Sequence, residues 1–134
     1  GKTTLSKWFI TLFPNDCVHI DGDDLRNCFQ DKNYTKEGRL KNIEKAQNIA
    51  QFLHYKGKTV IVSLISPYRE QREKFKEIMG GNIVEIYVHT TDIRGREDYH
   101  VKDYETPETN YIDCDTTKCN EFSSFLKLRE KLKI

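Results

Sequence analysis

The segment from Thr59 to Ile65 (TVIVSLI) constrains the fold more than any other. It is β-branched and nearly continuous in apolar character, the pattern of a strand covered on both faces. Such a strand needs helices above and below it, and the rest of the chain supplies them. Leu5, Trp8, Phe9 and Leu12 recur at i, i+3, i+4, i+7, which predicts a helix from about Lys2 to Phe13, stopped by Pro14. Thr35 is placed to cap a longer helix carrying Ile43, Ala46, Ala50 and Leu53, ended by Lys56-Gly57. Ser66-Pro67 offers an N-cap and a first-turn proline to a third helix, whose stripe is Gln71, Phe75 and Ile78 and whose terminator is Gly80-Gly81. Phe122, Phe125, Leu126 and Leu132 mark a C-terminal helix. Between these lie strand-like runs at Cys17 to Ile20, Ile83 to Val88 and Tyr111 to Cys114. Strands alternating with helices predict an α/β fold with a parallel sheet flanked by helices, whose ligands bind outside the carboxyl ends of the strands.

A length of 134 residues accommodates one core and one domain, spanning 1–134. Lys+Arg total 22 and Asp+Glu 21, so a net charge of +1 gives no overall field for nucleic acid or an anionic membrane. Anions must be recognised locally. No apolar run approaches the ~18 residues that span a bilayer, and the N-terminus does not resemble a signal peptide, so the reading is of a cytoplasmic protein. Cys17, Cys28, Cys114 and Cys119 form no C-x-x-C pair and are expected to be buried free thiols, not a zinc site. The chain starts at Gly1 and its first residues look like the second half of a motif. It is read as an N-terminally truncated domain whose first strand, expected at the middle of the sheet, is missing from the chain as given.

Gly1-Lys2-Thr3-Thr4 at the start of an amphipathic helix matches the G-K-[ST] end of a phosphate-binding loop. In that reading Lys2 meets the β- and γ-phosphates and Thr3 offers its hydroxyl to Mg²⁺; otherwise the tripeptide is a chance surface feature. Asp21, Asp23 and Asp24 follow a strand. Asp21 and Asp23 would point the same way in an extended backbone and share one site, where they could hold Mg²⁺ through water or accept a proton from an attacking hydroxyl. The alternative is an acidic turn in which Asp23 or Asp24 caps a helix containing Leu25 and Phe29. A phosphate loop with a carboxylate pair at the next strand's tip supplies the parts for metal-assisted phosphoryl transfer. Arg26, Arg39 and Arg69 could grip a second anion bidentately or merely solvate the surface, and Arg72, one turn beyond Arg69, is expected to be exposed. Tyr34 could stack on a purine or pack under a helix. The stretch 90–107 has no clear period and reads as a lid loop.

These residues carry a resemblance. Asp21-Gly22-Asp23-Asp24-Leu25-Arg26 is similar to the D-G-D-N-[LV]-R of adenylylsulfate (APS) kinases, Arg39-Leu40-Lys41-Asn42-Ile43 to their R-x-x-N-I, and Val62 to Arg69 (VSLISPYR) to their V-S-[FL]-I-S-P-Y-R. Tyr104-Glu105-Thr106-Pro107 resembles the family's Y-E-x-P, and Asp115-Thr116 its closing D-T. The resemblance implies a three-layer P-loop kinase-like fold and ATP-dependent phosphorylation of the 3′-hydroxyl of APS, giving PAPS, with ATP and Mg²⁺ as cofactors. By motif matching, Gly1, Lys2, Thr3 and Thr4 would serve ATP, with Thr3 and Asp21 at the metal. Asp23 would be the carboxylate near the 3′-hydroxyl with Asp21 beside it. Arg26, Arg39 and Asn42 would orient the phosphosulfate and ribose, Tyr34 would stand where the family has a stacking phenylalanine, and Ile65 and Ser66 would line the same pocket. A homodimer is compatible with the resemblance. Two features depart from it. The segment Thr91 to Asp103 is shorter than the family's lid and lacks its basic and aromatic stretches, leaving Arg94 and Arg96 at the ATP phosphates and Tyr99 or Tyr104 as an aromatic wall. Glu44 and Lys45 replace two arginines. Competing readings are a related P-loop kinase for another small hydroxyl substrate and an inactive nucleotide-binding module.

Overall fold

A computed structural model describes residues 1–13, 15–93 and 103–134. The elements run α1 (Lys2–Ile10), β1 (Cys17–Asp21), α2 (Gly22–Phe29), α3 (Lys36–Tyr55), β2 (Thr59–Ser63), α4 (Arg69–Met79), a 3₁₀ turn (Gly80–Asn82), β3 (Glu85–His89), β4 (Tyr111–Asp115) and α5 (Glu121–Leu132). The expected alternation is present. The parallel sheet takes the form of two parallel pairs, β1 with β2 and β3 with β4, and no ladder joins β2 to β3 among the described residues. Among the described residues the sheet is thus interrupted between the two pairs.

Two apolar clusters make three layers. On one side Leu5 and Phe9 of α1 and Phe125 and Leu128 of α5 bury against Cys114, with Ile61, Ile86, Val88 and Ile112 of the strands packed on them. α1 thus covers strands from both pairs and spans the break. On the other side Ile20, Leu25, Ala46 and Ala50 form a core joined by Val60 and Phe75. Small residues at Ala46 and Ala50 let the long α3 lie close to the strands.

Several expectations are corrected. α1 becomes irregular after Ile10 instead of reaching Phe13, and Pro14 lies outside the described residues. β2 is not covered on both faces, since Val62 is 38% exposed. Ser66 does not cap α4, because that helix starts at Arg69 with Tyr68 at its N-cap, and Ser66 has a left-handed φ of 43°. Ile78 is exposed, and the inward face of α4 runs instead through Tyr68, Arg72 and Met79 at helical spacing. Arg72 is therefore buried, not exposed. It pairs with Glu85 at 2.9 Å, donates to the Ser66 carbonyl at 2.8 Å and also to that of Glu105. All four cysteines are free thiols, but only Cys114 is buried and Cys28 is exposed.

Candidate active site

The chemistry-bearing residues gather where α1 begins and β1 and β2 end, on the rim of the break. Gly1 caps α1, and a Cβ there would lie 3.6 Å from Val88 of β3. Asp21 closes β1 opposite Ser63, which closes β2. Thr3 Oγ1 and Ser63 Oγ each donate to Asp21 Oδ1 at 2.9 Å. The Asp23 and Asp24 amides donate to Asp21 Oδ2 at 3.1 and 3.3 Å. Asp21 is thus the N-cap of α2, a role the sequence reading gave to Asp23 or Asp24.

This arrangement separates the two carboxylates. Asp21 receives four hydrogen bonds, about the full acceptor capacity of a carboxylate. Burial pushes its pKa up, but the bonds from Thr3, Ser63 and the two amides outweigh that and hold it below the ordinary carboxylate value. Asp21 is therefore a poor proton acceptor and a good fixed anion. Asp23 does not extend from the strand alongside it; it stands in the first turn of α2 and is exposed.

The donor set suits Mg²⁺. Thr3 gives its only hydroxyl proton to Asp21 and so turns oxygen lone pairs away from it, and the partners on offer are hard oxygens. With all four acceptor positions of Asp21 filled, that carboxylate faces a cation through Thr3 and water more readily than directly.

The residues expected at the acceptor are placed less uniformly. Arg26 is buried, donates to the Asn33 carbonyl at 2.9 Å, lies 3.5 Å from Asp31 and covers the Tyr34 ring at 4.2 Å. Tyr34 is itself exposed. Arg39 reaches Asp103 at 3.7 Å. Asn42 is buried, and its Oδ1 has no hydrogen-bond partner among the described residues. Ile65 is exposed, and the Ser66 carbonyl is taken by Arg72. Arg69 is committed to the 105–108 segment, through Glu105 Oε1 at its amide, the Thr106 carbonyl and Glu108. Lys45 covers the Phe29 ring at 4.5 Å instead of facing an anion. Thr4 sits half-buried in the first turn of α1. Arg94, Arg96 and Tyr99, and with them most of the expected lid, lie outside the described residues.

Sequence reasoning passed over His19, gave Ser63 no role of its own within the VSLISPYR run and expected Arg72 to be exposed. Ser63 was visible as the polar residue inside an apolar strand, and Arg72 as the fourth residue after Tyr68 on a stripe completed by Phe75 and Met79.

Comparison with known proteins gives a consistent family. A sequence model described as adenylylsulphate kinase matches residues 1–114. The bifunctional enzyme NodQ of Rhizobium meliloti is 37% identical over 95 residues, covering 67% of this chain and 15% of that protein. The adenylyl-sulfate kinase of Buchnera aphidicola is 27% identical over 95 residues, 67% of this chain and 46% of that enzyme. The chain thus spans less than half the length of these two relatives. In fold it resembles the Mycobacterium tuberculosis APS kinase CysC, solved in complex with AMPPNP and APS, with a TM-score of 0.77 at 19% identity over all of this chain and 91% of that one.

Proposed function

Because the chain belongs to the adenylylsulphate kinase family, we propose that its 134 residues belong to one kinase domain, which transfers the γ-phosphoryl group of ATP to the 3′-hydroxyl of APS, giving PAPS and ADP. The observation that carries this reading is the hydrogen-bonded junction of Thr3, Asp21 and Ser63, which fixes the N-terminus of a helix against two strand ends. That is where an α/β protein presents backbone amides to phosphate.

The amides opening α1, with Lys2 beside them, hold the transferred and leaving phosphates. Thr3 Oγ1 would hold Mg²⁺, with Asp21 behind it; the ion, when bound, neutralises charge developing on the phosphate oxygens. Asp23 accepts the proton of the 3′-hydroxyl as its oxygen bonds to phosphorus and the bond to ADP breaks. Asn42 supplies an unsatisfied acceptor for the ribose or base, Arg26 and Arg39 supply positive charge for the phosphosulfate, and Tyr34 and Ile65 supply apolar surface.

A Lys2→Ala variant assayed with ATP, Mg²⁺ and APS should lose activity by roughly 10²-fold or more. Turnover like that of the wild type sinks the phosphate-loop assignment. One observation favours a second acceptor: Arg26 and Arg39 both stand beside carboxylates, Asp31 and Asp103, which reduces the charge available to an anion. A panel of small hydroxyl compounds run beside APS separates the two, since turnover of another compound without APS turnover identifies a different small-molecule kinase.

A further inference from the structure

His19 sits two residues before Asp21 on β1, on the strand face that also carries Ile61 and Ser63. It is half-buried, and its Nε2 lies 2.8 Å from Ser63 Oγ. Ser63 has one hydroxyl proton, and the neighbouring Asp21 carboxylate, 2.9 Å away at Oδ1, acts as an acceptor throughout, taking bonds from Thr3 and two backbone amides as well. That proton therefore goes to Asp21, and the short contact with His19 requires the imidazole to donate. The result is one directed chain, His19 Nε2–H to Ser63 Oγ–H to Asp21 Oδ1, which meets the bond from Thr3 on the same oxygen.

We propose that His19 is a positioning residue: by donating Nε2–H to Ser63, it commits the Ser63 proton to Asp21 and keeps that carboxylate oriented behind Thr3. A serine hydroxyl alone could rotate its proton elsewhere; with His19 donating, it has one satisfied arrangement, and successive bonds polarise one another. The inference concerns Asp21 as a fixed anion and deepens the phosphotransferase reading, on which its functional arm rests.

The first test is independent of function. In long-range ¹H–¹⁵N spectra of the full-length protein in mildly alkaline buffer, His19 should carry its proton on Nε2, and Ser63→Ala should let both tautomers appear. A wild-type His19 protonated on Nδ1 overturns the proposal. The second test reads the Mg²⁺ concentration needed for half-maximal affinity for AMPPNP. His19→Leu should raise it roughly three- to tenfold, the scale of one neutral hydrogen bond. His19→Gln, whose amide nitrogen lies the same number of bonds from Cβ as Nε2, should restore it to within about twofold, as expected if a single donor is what matters. Loss of the same size in both variants, or none in His19→Leu, overturns the positioning role. Should His19→Leu fail to fold, Ser63→Ala takes its place, with the same rise expected against an unmoved His19→Gln and the same overturning result if it does not rise. If the unmutated protein binds no nucleotide, the phosphotransferase reading fails and the positioning role with it, while the tautomer still decides whether the hydrogen-bond chain exists.

Discussion

Asp21 and Glu85 are two enclosed carboxylates at strand ends, and they have opposite kinds of partner. Glu85, the first residue of β3, accepts from Arg72 at 2.9 Å and Lys76 at 3.0 Å, two cations whose side chains are 8% and 12% exposed. Its charge is cancelled where it stands. Asp21, the last residue of β1, is held by two hydroxyls and two amides, all neutral. Its charge is fixed in direction but not cancelled, and its field reaches the rim where α1 begins. The same residue type thus builds scaffold when its donors are cations and a candidate binding site when they are not. The two are also linked. Arg72 donates to the carbonyl of Ser66, three residues after Ser63, so the scaffold pair braces the loop that leaves the site strand.

The largest expected effect breaks the scaffold side. Arg72→Met leaves Glu85 with only Lys76 and frees two carbonyls, which should cost about 3–5 kcal/mol in denaturant unfolding. Adding Glu85→Gln should recover part of that loss, because Lys76 keeps Glu73 at 2.8 Å and no buried carboxylate is left without its cation. A single variant as stable as the wild type would remove the distinction between the two carboxylates.

On the site side, Asp23→Asn should lower kcat on the order of 10²-fold with modest change in ATP affinity, since it removes the proposed proton acceptor while keeping shape. Asp21→Asn should also reduce activity, but through Mg²⁺ dependence. If Asp21→Asn abolishes turnover at saturating Mg²⁺ and Asp23→Asn is fully active, the roles assigned to the two are exchanged.

What the sequence made legible follows from how far each feature reaches along the chain. α1, α3, α5 and the strands rest on local periodicity, and the Thr35 cap bonds Gly38 only three residues away. Arg72 escaped because its partners are Glu85 and Glu105, 13 and 33 residues on, and a period counted in apolar residues cannot see a buried arginine. Asp21 escaped as a cap because extended geometry was carried past the end of β1 to Asp23, into a helix that begins at Gly22. Arg26 was legible as a charge near a strand end, but its attachment to the 31–34 loop was not, since that loop has no period. Gly38 shows how closely the loop lies: a Cβ there would come within 2.4 Å of the Asn33 carbonyl oxygen.

Those placements sharpen the prediction for the arginines. Arg39→Ala should raise the acceptor KM by about tenfold, the worth of a charge-assisted contact, and leave ATP affinity nearly unchanged. Arg26→Ala should raise it too but also destabilise the protein, because its guanidinium is buried and bonds Asn33. Equal loss of ATP and acceptor binding in Arg39→Ala would point to disturbed folding instead of a substrate contact.

The smallest effect is in pH, where the two carboxylate sites should fail at opposite ends. The pKa of Asp21 is lowered on folding, so its contribution to stability is whole above the unfolded value of about 3.9 and is lost as pH falls through the lower folded one. At the scaffold, burial pulls the Lys76 pKa down, but its bonds and charge interactions with Glu73 and Glu85 outweigh that and raise it. Its contribution is whole below the unfolded value of about 10.4 and is lost as pH rises through the folded one. Unfolding measured across pH should therefore show Asp21→Asn flattening the acid limb and Lys76→Met the alkaline limb, each leaving the other limb unchanged. An acid limb that keeps its slope in Asp21→Asn would mean that the four neutral donors do not hold that carboxylate ionised, and the contrast with Glu85 would lose its physical basis.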